Sequence, residues 1–126
     1  MTRLFSMVSV VIMVLTLAAC NSQEYTDISN EELKTMLANE KYQFVDVRTS
    51  EEFYTERIPG FTYNIDYYML VEDYSLLDRL DKDVPVVIMC NSGNRSADAA
   101  EIFVDQGFET VYNLENGIVE WDGETE

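Results

Sequence analysis

The sequence predicts an α/β fold: one domain with a mainly parallel β-sheet and helices on both faces. Three observations carry the prediction. Short apolar runs rich in β-branched residues alternate with segments whose apolar residues recur at helical spacing. One of those runs, Val86-Val87-Ile88-Met89, is apolar at every position, the pattern of a parallel strand covered on both sides. The chain of 126 residues is 47% hydrophobic and 25% charged, an ordinary globular composition of a size that forms one core.

The first residues are expected to lie outside that core. Met1-Thr2-Arg3 is a basic start, Leu4 to Leu17 is a hydrophobic stretch of about fourteen residues, and Ala18-Ala19 supplies small residues before Cys20. This is a signal peptide over residues 1–19, too short for a comfortable membrane span. Leu17-Ala18-Ala19-Cys20 resembles the bacterial lipobox, which implies cleavage before Cys20 and a diacylglycerol on its thiol. Two acyl chains suffice for stable anchoring, since each buried methylene contributes about 0.8 kcal/mol. The expected location is therefore extracytoplasmic, with the protein lipid-anchored to a bacterial membrane. Asn21 to Glu24 has no apolar period, so residues 20–24 form a lipidated tether and the domain occupies 25–126.

Within the domain, Ser29-Asn30-Glu31-Glu32 fits a capping box with Leu33, Met36 and Leu37 following at helical spacing, which predicts a helix over 30–39. Phe44-Val45-Asp46-Val47 reads as a buried strand ending at Arg48, and Ser50-Glu51-Glu52-Phe53 as the start of a second helix. Ile58-Pro59-Gly60 marks a turn, and Glu72 to Leu80 carries Leu76, Leu77 and Leu80 at helical spacing. Pro85 restarts the chain before the apolar strand 86–89. Ser96 to Gln106 is a helix closed by Gly107, followed by a strand at Thr110-Val111-Tyr112 and a terminal segment from Gly117 to Trp121.

Charge and composition exclude several functions. Removing residues 1–19 deletes Arg3 and no acid, which leaves 7 basic against 24 acidic residues and a net charge of −17. Such a field disfavours nucleic acid and anionic lipid, and in the plainest reading serves solubility. A small anionic substrate would also be repelled at long range, so an anion site here has to be local. There is no histidine, which removes Ser-His-Asp and Cys-His chemistry. The only two cysteines are Cys20 and Cys90, too few for a thiolate zinc site; no metal and no cofactor is expected.

The informative stretch is Cys90-Asn91-Ser92-Gly93-Asn94-Arg95-Ser96, placed between the buried strand and a helix. In open α/β sheets, ligands bind at the carboxyl ends of strands, where a helix N-terminus offers free amides and a positive dipole end. A cysteine there, with Arg95 nearby, is expected to titrate below the usual ~8.5. Gly93 lets the chain curl so that successive amides face inward as an anion cradle. A cysteine at the end of an apolar strand is, by itself, more often a small buried hydrophobe. The polar run that follows it has no packing reason to be there.

Cys90 to Ser96 resembles the active-site loop of the rhodanese family, whose members often read Cys-x-x-Gly-x-Arg-Ser. Further matches follow in order: Asp46-Val47-Arg48, Glu51-Glu52-Phe53, Ile58-Pro59-Gly60, Gly107-Phe108 through Leu114, and Gly117 to Trp121. The chain departs from the family at Glu56-Arg57, where Gly-His is usual, and at Asn116-Gly117, where Gly-Gly is usual. The resemblance implies a single rhodanese-like domain that moves a sulfane sulfur. The Cys90 thiolate would take it from thiosulfate or a persulfide and pass it to cyanide or a thiol. Arg95 would orient the loop or donor, and Asn91, Ser92, Gly93, Asn94 and Ser96 would hold the anion. Asp46 and Arg48, at the end of a parallel strand and so at the same sheet edge as Cys90, are expected to brace the loop as an ion pair or a hydrogen-bond network. Two rivals stay open. A cysteine-dependent phosphatase resembles Cys-x5-Arg, one residue longer than the spacing here; a noncatalytic thiol-sensing or binding module would share the fold without turnover.

Overall fold

A computed structural model describes residues 24–126; Cys20 and the segment 1–19 lie outside the described residues. Five strands alternate with helices: β1 (Thr26–Ile28), α1 (Asn30–Leu37), β2 (Gln43–Asp46), α2 (Ser50–Thr55), β3 (Tyr63–Asn64), α3 (Tyr67–Leu70), a 3-10 helix (Tyr74–Arg79), β4 (Val86–Met89), α4 (Asn94–Asp105), β5 (Val111–Leu114) and a closing 3-10 turn (Ile118–Glu120). The sheet order is β1-β5-β4-β2-β3, with every pairing parallel. The expected "mainly parallel" sheet is thus wholly parallel. Parallel neighbours need a crossover, and the intervening helices supply it.

β4 is central because all four of its residues are apolar. Its neighbours are β2, with Asp46 opposite Met89, and β5, with Val86 opposite Val111. Side chains alternate across a strand, so the run divides between two cores. Val86 and Ile88 pack with Ala99, Ala100 and Phe103 of α4 and with Leu70 and Leu77. Val87 and Met89 pack on the opposite face with Leu33 of α1, Phe61 and Ile118. Burying each such side chain stabilises the fold by roughly 1.5–3 kcal/mol.

Local signals explain the helix starts. Ser29 accepts from the Glu32 amide and Glu32 answers the Ser29 amide, closing the predicted capping box; Thr49 and Glu52 repeat the device at α2. Several boundaries differ from expectation: β2 runs Gln43–Asp46 rather than from Phe44 to Val47, and β5 runs Val111–Leu114 rather than from Thr110 to Tyr112. α1 ends at Leu37, the segment after Asp73 winds as a 3-10 helix, and α4 begins at Asn94, two residues early, because Gly93 in the left-handed region turns the chain into the helix. β1, β3 and α3 were not anticipated; they are two to four residues long, below the length at which periodicity shows.

Candidate active site

Cys90 follows β4 directly, at the carboxyl edge of the sheet, and is fully buried with its thiol free. Its Sγ lies 3.0 Å from the Gly93 amide nitrogen and 3.3 Å from the Ser96 hydroxyl. The same hydroxyl is 3.1 Å from the Gly93 carbonyl. A hydroxyl has one proton, so Ser96 donates either to the sulfur or to that carbonyl. A thiolate, acceptor only, turns it to the sulfur. Of the cradle foreseen over residues 91–96, the groups that reach Sγ are therefore the Gly93 amide and the Ser96 hydroxyl; Asn91, Ser92 and Asn94 are exposed at the mouth.

The direction of the loop is decided from outside it. The carbonyls of Cys90 and Asn91 accept from the amides of Ile118 and Val119, each at 3.0 Å, which turns them away from the sulfur. That contact is tight enough to require glycine at two positions. Gly93 has φ +97° and a Cβ there would lie 1.9 Å from the Glu115 carbonyl oxygen; Gly117 has φ +68° and a Cβ there would lie 2.3 Å from the Asn91 carbonyl oxygen. Asn116 has no positive φ, so its departure from Gly-Gly costs nothing in backbone strain. Arg57, the other departure, pairs its backbone with Glu126 in both directions and its guanidinium with the Glu126 carboxylate.

Arg95 was expected to serve the loop or the donor. Its guanidinium makes two parallel bonds to Glu52, at 2.9 and 3.0 Å, and lies 5.7 Å from the centre of the Tyr68 ring. The hydrogen bonds from Arg95 hold the Glu52 carboxyl down at about 2, against partial burial that opposes it. The same bonds push the Arg95 guanidinium above its ordinary value, and the nearby Cys90 sulfur adds to this. Glu52 thus joins two structures, since its Oε1 also closes the Thr49 cap. Sequence reasoning placed Glu52 on a helix and missed this partnership. The only local hint was the second capping box.

Asp46 and Arg48 form a buried ion pair, with Arg48 Nη2 2.7 Å from Asp46 Oδ2 and Nε 3.1 Å from both carboxylate oxygens. Arg48 Nη2 also donates to the Glu56 carbonyl, at 2.6 Å, at the end of α2. The pair ties the end of β2 to the end of α2, the helix that carries Glu52, and Asp46 itself stands opposite Met89, the residue before Cys90. Breaking such a buried pair by removing one partner costs about 3–5 kcal/mol. Among the described residues no cluster of ligating side chains could hold a metal, and no helix is long and apolar enough to cross a membrane.

A cysteine cupped by an amide and a hydroxyl at the carboxyl edge of a parallel sheet defines a thiol-centred α/β domain. The chain belongs to the rhodanese-like domain family, whose model matches residues 29–124. It is 35% identical over 103 residues to the putative sulfurtransferase YtwF of Bacillus subtilis, covering 81% of this chain and 95% of that protein. It is 32% identical over 100 residues to the thiosulfate sulfurtransferase GlpE of Pseudomonas aeruginosa, covering 79% and 86%. The crystal structure of a rhodanese-like domain protein from Staphylococcus aureus superposes with a TM-score of 0.66 at 34% identity, covering 79% of this chain and 93% of that one.

Proposed function

We propose that this protein is a sulfurtransferase that carries a sulfane sulfur on Cys90, taking it from thiosulfate or a persulfide and delivering it to a thiol or cyanide. The observation that carries this reading is the pair of donors, Gly93 N–H and Ser96 O–H, aimed at a single buried sulfur. Relatives named as sulfurtransferases support it. In the first half-reaction the thiolate attacks the outer sulfur of thiosulfate; a Cys90 S–S bond forms, the S–S bond of the donor breaks, and sulfite leaves with the electron pair. In the second, an acceptor thiolate or cyanide attacks the outer sulfur and Cys90 departs as thiolate. Donors already oriented toward the sulfur stabilise charge there without reorganising in the reaction.

Cys90 is fully buried, with Asn91 and Ser92 exposed beside it. The negative field of the chain repels a dianion at long range, so capture depends on the local donors of the cysteine loop. For the intact protein the reading also includes a lipid on Cys20 and an extracytoplasmic, membrane-anchored location, on the lipobox alone. The test of the chemistry is intact mass after incubation with thiosulfate. One added sulfur on the wild type and none on Cys90→Ser is the expected result. An unmodified wild type, or a sulfur retained in the variant, would refute the assignment.

A further inference from the structure

Arg79 stands apart among the arginines of the described residues. Arg48, Arg57 and Arg95 each hold a carboxylate, whereas Arg79 has none in a chain with 24 acids. Its guanidinium lies 3.4 Å from the Asn64 carbonyl oxygen and 6.0 Å from the Tyr63 ring centre, facing a cleft of about 180 Å³. Ser50, Asn64, Asp66 and Met69 also line that cleft. The Asp66 carboxylate is anchored by capping α3 at 2.8 Å and makes no ion pair, so the cleft holds a cation and an anion apart from one another.

The cleft is lined by residues close along the chain to the side chains that hold Arg95 of the cysteine loop. Ser50 precedes Glu52, and Met69 follows Tyr68, the two side chains that hold Arg95. Asp46 is in register with Asn64 on one side and with Met89 on the other. Asn64 and the end of β4 are therefore two strand spacings apart, about 10 Å. Ile65 and Leu76, which line the cleft, pack into the same core as Cys90, so cleft and sulfur share one face of the sheet.

We propose that this cleft binds the α-amino-carboxylate end of a peptide-sized thiol acceptor, with Arg79 on the carboxylate and Asp66 on the ammonium. The assignment rests on the sulfurtransferase reading above. Two extended residues span at most about 7 Å, so a tripeptide thiol linked through a side-chain carboxyl, which leaves an α-amino-carboxylate free at one end, bridges cleft and sulfur, whereas free cysteine is too short and cyanide has nothing to offer the cleft. In the transfer, the bound thiol loses its proton to solvent and its sulfur attacks the outer sulfur of the Cys90 persulfide. The new S–S bond forms on the acceptor, and Cys90 leaves as thiolate and regains a proton.

The test uses the persulfide-loaded protein with reduced glutathione, glutathione diethyl ester, 2-mercaptoethanol and cyanide as acceptors. Arg79→Gln should raise KM for glutathione about tenfold, the low end for a hydrogen bond to a charged group at an exposed site, with kcat unchanged. Asp66→Asn, whose side chain still caps α3, should raise it in the same direction. Kinetics with cyanide and 2-mercaptoethanol, and persulfide loading, should not change; the diethyl ester should treat the wild type as glutathione treats Arg79→Gln. An unchanged KM for glutathione in either variant, or an equal rise for every acceptor, overturns the assignment. Calorimetric titration with S-methylglutathione, which cannot react, separates the two hypotheses. Binding that Arg79→Gln weakens about tenfold upholds the cleft even if no persulfide forms on the wild type; binding indifferent to Arg79 overturns the cleft whatever the chemistry.

Discussion

Gly117→Ala isolates the support that residues 117–119 give to the cysteine loop. An alanine Cβ would sit 2.3 Å from the Asn91 carbonyl oxygen and 2.7 Å from that of Cys90, where ordinary contact begins at 3.4 Å, so one backbone must retreat by about 1 Å. With φ +68° and ψ −171°, Gly117 occupies a backbone region essentially reserved for glycine, which costs a residue with a Cβ about 1–3 kcal/mol. Weakening the Ile118 and Val119 hydrogen bonds adds about 0.5–1.5 kcal/mol each, for a loss of about 2–6 kcal/mol in all. Gly107→Ala is the matched control, with φ +96° but no atom nearer than 3.8 Å, so it should show the conformational cost without the clash. Urea unfolding at constant m measures both. A displacement of about 1 Å at a reacting group costs about a hundredfold in rate, so sulfur transfer by folded Gly117→Ala should fall on that scale while Gly107→Ala stays active. Equal destabilisation of the two variants, or full activity in Gly117→Ala, refutes the claim that the closing segment aims the loop.

Ser96→Ala removes the hydroxyl on the sulfur, and the rate of persulfide formation should drop roughly tenfold or more, the worth of a hydrogen bond to a charged group, as read by mass against time. Glu52 predicts an acid limb. A carboxyl held at about 2, below its ordinary 4.5, contributes stability that is present above pH 4.5 and lost as pH falls towards 2. Glu52→Gln should flatten the pH dependence of unfolding in that window, by an amount reduced by solvent screening since the Glu52 side chain is 34% exposed. An unchanged slope would remove the ion pair as its cause. Cys20→Ser should move the full-length protein from the membrane to the soluble fraction; continued sedimentation with membranes places the anchor elsewhere.

Features that depend on a few neighbouring residues were legible in the sequence. Ser29-x-x-Glu32 started α1, the unbroken apolar run became the central strand, and the glycine after Gln106 closed α4 in the left-handed region. The cysteine loop was legible for the same reason, being seven consecutive residues that run from the end of a strand into the first turn of a helix. Other features rest on contacts between distant segments that local pattern does not encode. β1 and β3 exist because neighbours already in the sheet satisfy their backbones. Arg95 meets Glu52 across 43 residues, so that its charge is largely spent on a carboxylate and the sulfur is left to an amide and a hydroxyl. The sequence determined that a thiol would stand at the carboxyl edge of a parallel sheet. Only the tertiary structure decided which groups would face it, because the carbonyls of the loop are turned away by hydrogen bonds from residues 118 and 119, far along the chain.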